Sequence, residues 1–212
     1  CGYCAHPTEP HSKCNQAISS DFVACIPLAE YISSCVLRNN EFLEAMIRDA
    51  KYTDAESIQN LIRIFAEDGK VLFRSLDNIR ENIADFWVYE KNGLIVGVCS
   101  LKTGWDRLVE LRSLGVDPRF AGQGIGTALV RAGIEKALMV NCDSLFVFTY
   151  AVSLFERLGF QWVDKETLPL KVWNDCAGCL HQHNCDETAM ILSLVSIRSG
   201  AHAELPTMVK AV

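Results

Sequence analysis

Two segments of this 212-residue chain carry residue types at spacings suited to chemistry. The first is Val116-Asp117-Pro118-Arg119-Phe120-Ala121-Gly122-Gln123-Gly124-Ile125-Gly126-Thr127. It follows a β-prone run and opens a helical pattern. The first backbone N–H groups of a helix lack intrahelical acceptors and sit at the positive end of its dipole. Glycines let an anion approach such a backbone closely. The segment therefore suits a phosphate, although spacing alone leaves a tight strand–helix connection without ligand equally open. No Gly-Lys-Ser/Thr follows, so it is not a P-loop. Hairpin signals upstream break the βαβ context of a dinucleotide fold.

The second segment is Lys171-Val172-Trp173-Asn174-Asp175-Cys176-Ala177-Gly178-Cys179-Leu180-His181-Gln182-His183-Asn184-Cys185-Asp186-Glu187. Cys176 and Cys179 share one tight turn, and Cys185 can close on the same ion. His181, His183 or Asp186 would complete a tetrahedral zinc site, here read as a structural clip on a loop. Free thiols or a disulfide between neighbours are the alternatives. Cys1, Cys4, His6, His11 and Cys14 form a further set by spacing, in a segment without sustained hydrophobic period.

The elements that position these segments are legible in outline. Met46 to Ala50 reads as a first strand. Thr53 and Glu56 have the spacing of a capping box, and Ile58, Leu61, Ile62 and Phe65 follow on one helical face until Gly69. A short helix after Ser75 turns Leu76, Ile79 and Ile83 inward. Phe86 to Glu90 and Leu94 to Leu101 flank Asn92-Gly93, a hairpin turn signal. Val109 to Val116 is a strand, and a long helix runs from about Gln123 to Val140. Leu145 to Thr149 reads as a buried strand, Ala151 to Leu158 as a short helix, and Phe160 to Val163 and Ala189 to Val195 as the last strands. Helices and strands alternate with hairpins between, which predicts a mixed α/β sheet. Residues 1–45 read as an N-terminal extension, disordered or not native to the protein. Residues 46–195 read as the domain and 196–212 as a loose tail.

Composition bounds the function. Half the residues are hydrophobic and 22% are charged, as in a globular protein with a real core. The net charge of -6 offers no basic field for nucleic acid or anionic lipid. No apolar run approaches the roughly 20 residues that span a bilayer, and no secretory signal pattern opens the chain. Ten cysteines are many for a cytosolic enzyme. Cys99 and Cys142, in the middle of the chain, read as packing residues.

The order of these elements, with Glu110-Leu111-Arg112-Ser113-Leu114-Gly115-Val116 before the glycine loop and Leu154-Phe155-Glu156-Arg157-Leu158-Gly159-Phe160 after it, resembles the GNAT superfamily of N-acetyltransferases. The resemblance runs from about Met46 to Val163, with a last strand near Ala189 to Val195. It implies the GNAT acyl-CoA fold, with the cysteine-rich segment inserted between the last two strands, and acetyl-CoA as cosubstrate. The pyrophosphate would lie on the amides of Ala121, Gly122, Gln123, Gly124, Ile125, Gly126 and Thr127, and the thioester against Leu114, Gly115 and Val116. Ala121 stands where the family usually has Gln or Arg, so that side-chain contribution is missing; Arg119 is a nearby source of charge. The family's general-acid tyrosine is replaced by Phe155, with Ser153 or Tyr150 as weak substitutes. Glu110 matches where several members place a catalytic base, and an edge-of-strand charge is its bland alternative.

A narrower resemblance covers Gly69 to Ser75 and Asn92 to Thr103, which look like the acetyltransferase domain of N-acetylglutamate synthases without their kinase domain. It implies acetylation of the α-amine of glutamate, the first step towards arginine, in the cytoplasm. A dicarboxylate acceptor needs cations, and arginine's planar fork matches a carboxylate. Arg74, Ser75, Lys102 and Arg112 are the substrate-binding candidates. The short Lys-Val-Trp-x-Asp-Cys tail also resembles bacterial members of this kind, and Cys176, Cys179, Cys185 and His183 are the candidate metal ligands. The expected partner is a small amino acid, with no nucleic acid or membrane, and a homo-oligomer is left open. A different small amine, a protein N-terminus, or a non-catalytic acyl-CoA or metal-responsive module are the competing readings.

Overall fold

The computed structural model describes residues 45–105, 107–168 and 185–199. A seven-stranded sheet has the order β1-β2-β3-β4-β5-β7-β6. The strands are β1 Ala45–Asp49, β2 Phe86–Lys91, β3 Leu94–Trp105, β4 Leu108–Val116, β5 Ser144–Thr149, β6 Gln161–Trp162 and β7 Thr188–Ser193. Only β4 and β5 run parallel; the other neighbours are antiparallel. The sheet is thus mixed, as the alternation of hairpins and helices predicts. The helices are α1 Ala55–Glu67, α2 Leu76–Glu81, α3 Ile125–Met139, α4 Val152–Glu156 and α5 Leu194–Arg198.

The tight turns follow the residue signals. Asn92 and Gly93 take φ values of 55° and 73°, the left-handed pair that a two-residue hairpin turn requires. After α1, Gly69 has φ 68°. Its N–H donates to the Ala66 carbonyl at 3.0 Å, and the Lys70 N–H donates to that of Phe65 at 2.9 Å. These bonds close a left-handed helix stop. The Ser75 hydroxyl accepts from the Asn78 N–H at 3.2 Å and caps α2.

Two local readings are corrected. The Thr53–Glu56 capping box is not what starts α1. A single 3-10 turn, Tyr52–Asp54, precedes the helix, and the Asp54 carboxylate accepts from the Lys51 N–H at 2.7 Å and from Arg48 at 2.6 Å. Arg48 also donates to Glu90 at 2.6 Å, so the helix start is tied to β1 and β2 by charge. The Arg48 hydrogen bond holds the Asp54 carboxyl below the usual carboxylate range against the opposing effect of burial. The second correction is at the end of the last strand. β7 stops at Ser193, whose hydroxyl accepts from the Ser196 N–H at 3.4 Å. Leu194 and Val195, expected in the strand, instead open α5.

The apolar core has two sides. On one side Leu129 and Ile134 of α3 pack with Trp87, Leu111, Leu145 and Met190 of the sheet, and the Trp87 indole N–H donates to the Leu129 carbonyl at 3.1 Å. A Cβ on Gly133 would stand 2.7 Å from Leu111 and 2.9 Å from Trp87, so the close approach of α3 to the sheet requires glycine there. Cys99 belongs to this side, and burial pushes its thiol pKa up. Cys142 is buried with it, so both act as packing residues as expected. On the opposite face Ile58 and Ile62 of α1 and Ile79 of α2 pack with Val88 and Val98 of the sheet. A separate cluster of Phe146, Leu168 and Ala189 lies on β5 and β7.

Candidate active site

A β-bulge organises the centre of the sheet. Val98 pairs with Gly115, but Ser100 pairs with Arg112. β4 therefore carries one extra residue there, and Ser113 takes φ 54°. Such an insertion reverses which side chains face which side. Before it, Leu111 points towards α3, where it meets Gly133; after it, Val116 does, 3.8 Å from a Cβ placed on Gly126. Gly115 faces α1, where Phe65 comes within 3.1 Å of a Cβ placed on it.

Glu110 and Arg112 consequently face away from α3. Lys102 pairs with Glu110 and Ser100 with Arg112 across β3, and directly paired residues share a face. These four side chains form a polar strip between the two apolar clusters of that face. Arg112 Nη1 lies 4.0 Å from Glu110 Oε2, and their side chains are 14% and 13% exposed. The Ser100 hydroxyl donates to the Arg112 carbonyl at 3.2 Å, which helps satisfy the bulged backbone.

The strip ends at a gap in the sheet. β4 and β5 pair at Leu108–Ser144, Val109–Leu145 and Glu110–Phe146, and diverge beyond. The bulge twists β4 away from its parallel neighbour. The result is a wedge that opens toward the C-terminal ends of both strands, where they no longer pair.

The glycine loop stands at the mouth of this wedge. Gly122 and Gly124 have φ 76° and 79°, backbone conformations that a side chain would strain. Gly124 is the N-cap of α3 and brings no side-chain acceptor, so the amides of Ile125, Gly126 and Thr127 have no intrahelical partner. A Cβ on Gly126 would meet Leu154 and Val116 only at 3.7 and 3.8 Å. Packing of the protein itself therefore does not demand a glycine there. The charge reading of Arg119 needs correction. Its guanidinium folds back onto Asp117 at 2.6 Å, lowering the Asp117 pKa and raising its own. Lys91, which sequence reasoning passed over, reaches the loop instead: its Nζ donates to Gln123 Oε1 at 3.0 Å.

The other candidates come from outside β3 and β4. Arg74 and Ser75 lie in the α1–α2 connection; the Arg74 carbonyl accepts from Gln59 Nε2 at 3.2 Å, and Ser75 is occupied as a cap. Tyr150 follows β5, and its hydroxyl donates to Asp186 at 2.6 Å. That bond, with burial, pushes the phenol pKa above its ordinary value and makes it a weaker acid. Phe155 is buried edge-to-face against Phe160 at 5.1 Å, a core aromatic, and Ser153 is exposed on α4. Among the proposed metal ligands, Cys176, Cys179 and His183 lie outside the described residues. Cys185 Sγ is 3.5 Å from Lys165 Nζ. Among the described residues no group of three His, Cys, Asp or Glu is placed to hold a metal ion, so zinc gains no support. No helix among them is long and apolar enough to cross a membrane.

The profile of the acetyltransferase (GNAT) family matches residues 49–160, more than half of the chain, including β2 to β5 and the glycine loop. The chain belongs to the GNAT acetyltransferase family. This GNAT protein is accordingly an acyltransferase enzyme. It is 34% identical over 151 residues to an uncharacterized N-acetyltransferase of Chlorobaculum tepidum, covering 71% of this chain and 97% of that one. It is 31% identical over 134 residues to an amino-acid acetyltransferase of Mycobacterium tuberculosis, covering 61% of this chain and 76% of that one. Its fold is similar to a Mycobacterium tuberculosis protein solved with CoA and a ligand designated NLQ, with TM-score 0.64, 25% identity and coverage of 70% and 99%. It is also similar to the N-acetylglutamate synthase of Neisseria gonorrhoeae solved with coenzyme A and N-acetyl-glutamate, with TM-score 0.65 and 27% identity. That match covers 71% of this GNAT chain but only 35% of the synthase.

Proposed function

We propose that this enzyme transfers acetyl from acetyl-CoA to the α-amine of an amino acid, with L-glutamate the best acceptor, as the entry step of arginine biosynthesis. The observation that carries the reading is the polar strip on the face opposite α3. It sets one carboxylate, Glu110, among Lys102, Arg112 and Ser100 at the level where β4 and β5 part. A dicarboxylic amino acid needs cations for its carboxylates and a base for its ammonium, and the strip holds both. The names of the mycobacterial and gonococcal relatives support the same substrate class.

In this mechanism the pantetheine arm lies in the wedge and the pyrophosphate on the amides of Gly122 to Thr127. Arg112 and Lys102 hold acceptor carboxylates. Glu110 takes a proton from the acceptor ammonium, directly or through water, and the freed amine attacks the thioester carbonyl. Amides of β4 beyond the bulge polarise that carbonyl. After the C–N bond forms, the nitrogen gives its second proton to water, the C–S bond breaks and coenzyme A leaves as a thiolate. Phe155 cannot donate a proton, and the Tyr150 proton is held by Asp186. The reaction thus relies on the modest basicity of a thiolate leaving group.

Thiol release by the purified chain tests this, with glutamate run against a panel of other amino acids, small amines and N-terminal peptides. Turnover fastest with glutamate supports the reading. Turnover with another amine but not glutamate overturns the acceptor, and no thiol release with any acceptor overturns the reaction.

A further inference from the structure

The loop that this reading gives to the pyrophosphate has little fixed charge of its own. Between Asp117 and Thr127 the ionisable residues are Asp117 and Arg119, and they neutralise one another at 2.6 Å. Backbone amides and a helix dipole alone would then face a doubly charged diphosphate. A third group reaches the loop from across the sheet. Lys91, the last residue of β2, donates to Gln123 Oε1 at 3.0 Å. Its ammonium also stands 5.4 Å from the centre of the Phe120 ring, within cation–π range. It is therefore held from two sides, one residue short of the N-cap Gly124.

The acids around it are engaged elsewhere. Glu90, its neighbour in sequence, is bound to Arg48 at 2.6 Å, and Asp117 is bound to Arg119. Among the described residues Lys91 has no carboxylate partner. Gln123 spends its carbonyl oxygen on Lys91, and among the described residues nothing accepts from its amide N–H groups. An oriented ammonium and an amide donor side by side at a helix start form an electropositive corner, and a lysine there serves an anion as a compact point charge.

We infer that Lys91 is a cofactor-positioning residue that acts on the pyrophosphate of coenzyme A, directly and by orienting Gln123. This rests on the proposed use of the loop for coenzyme A. The hairpin is thereby part of the cofactor site, although it is distant from the loop in sequence.

Calorimetric titration of the full chain with coenzyme A, 3′-dephospho-coenzyme A and pantetheine tests it, on wild type, Lys91→Met and Lys91→Arg. Lys91→Met should weaken coenzyme A and its dephospho form alike, by about tenfold, which is about 1.4 kcal/mol for one charge-assisted contact. Pantetheine, which has no phosphate, should bind wild type and variant equally, and Lys91→Arg should recover most of the loss. Affinity for coenzyme A should also fall less steeply with salt in Lys91→Met. Equal coenzyme A affinity in wild type and Lys91→Met overturns the inference. So does a loss that extends to pantetheine, which marks a structural role, or one confined to coenzyme A, which moves the contact to the 3′-phosphate. Failure of wild type to bind coenzyme A would instead sink the reading of the loop.

Discussion

Gly126→Ala separates stability from cofactor binding at one atom. The new methyl would meet Leu154 and Val116 at 3.7 and 3.8 Å, ordinary van der Waals distances. Gly126 lies inside the first turn of α3 and outside the left-handed region. The folded protein should therefore accept alanine and gain part of the helix-propensity difference, about 0.5–1 kcal/mol. For a domain of this size that raises Tm by roughly 1–4 °C. The ligand should fare oppositely. A methyl beside the amides of Gly126 and Thr127 keeps a diphosphate from approaching them. Losing one charge-assisted hydrogen bond costs about 1.5–3 kcal/mol, or roughly ten- to a hundredfold in affinity. Thermal unfolding of the free protein and the KM for acetyl-CoA are the two measurements. A higher Tm with a raised KM is expected. An unchanged KM would show that the loop amides hold no phosphate, and a lowered Tm would show that the packing around Gly126 has been misjudged.

Four other variants follow from the same geometry. Glu110→Gln should lower kcat by about a hundredfold or more with little change in Tm, and Lys102→Ala should raise the glutamate KM about tenfold; steady-state thiol release measures both. Asp54→Asn should cost about 2 kcal/mol in urea unfolding, because it leaves Arg48 half-buried with one partner fewer. The Asp54 pKa is lower folded than unfolded, so this stability is present at neutral pH and is lost as pH falls below about 4; Asp54→Asn should flatten that acid limb. Gly133→Ala should destabilise by about 1–2 kcal/mol despite its better helix propensity, since its methyl would press on Leu111 and Trp87; an unchanged urea midpoint would contradict the packing described.

The parts legible in sequence are those decided within a few residues. Asn92-Gly93 fixes its own turn, Gly69 its own helix stop, and Gly122 and Gly124 the loop into α3. The misread parts are decided by distant neighbours. Thr53 loses the start of α1 to Asp54 because Arg48 and Glu90 meet there only after β1 and β2 have paired. The strand after Ala189 ends early because Ser193 caps a helix whose Leu194 N–H donates to Asp143, 2.8 Å away. Arg119 is next to the loop in sequence but spent on Asp117, whereas Lys91 is distant in sequence and touches it. Glu110, Lys102 and Arg112 could be nominated singly from family resemblance. That they share one face depends on the register of β3 with β4, which no local pattern reveals.

The extra residue at Ser113 also bears on how such an enzyme can change. On the proposed function, the side chains at 100, 102, 110 and 112 would answer to the acceptor, and the backbone from 114 to 127, beyond the extra residue, to the cofactor. On that reading β4, with β3 beside it, would serve two clients that make almost no shared demand on any side chain. Substitutions in the first group would then redirect the enzyme to a new amine while the donor stays the same. Deleting a single residue at the boundary would turn one of the two groups toward the wrong side of the sheet. Drift in acceptor choice should therefore proceed by replacement on either side of Ser113, and hardly ever by insertion or deletion within the strand.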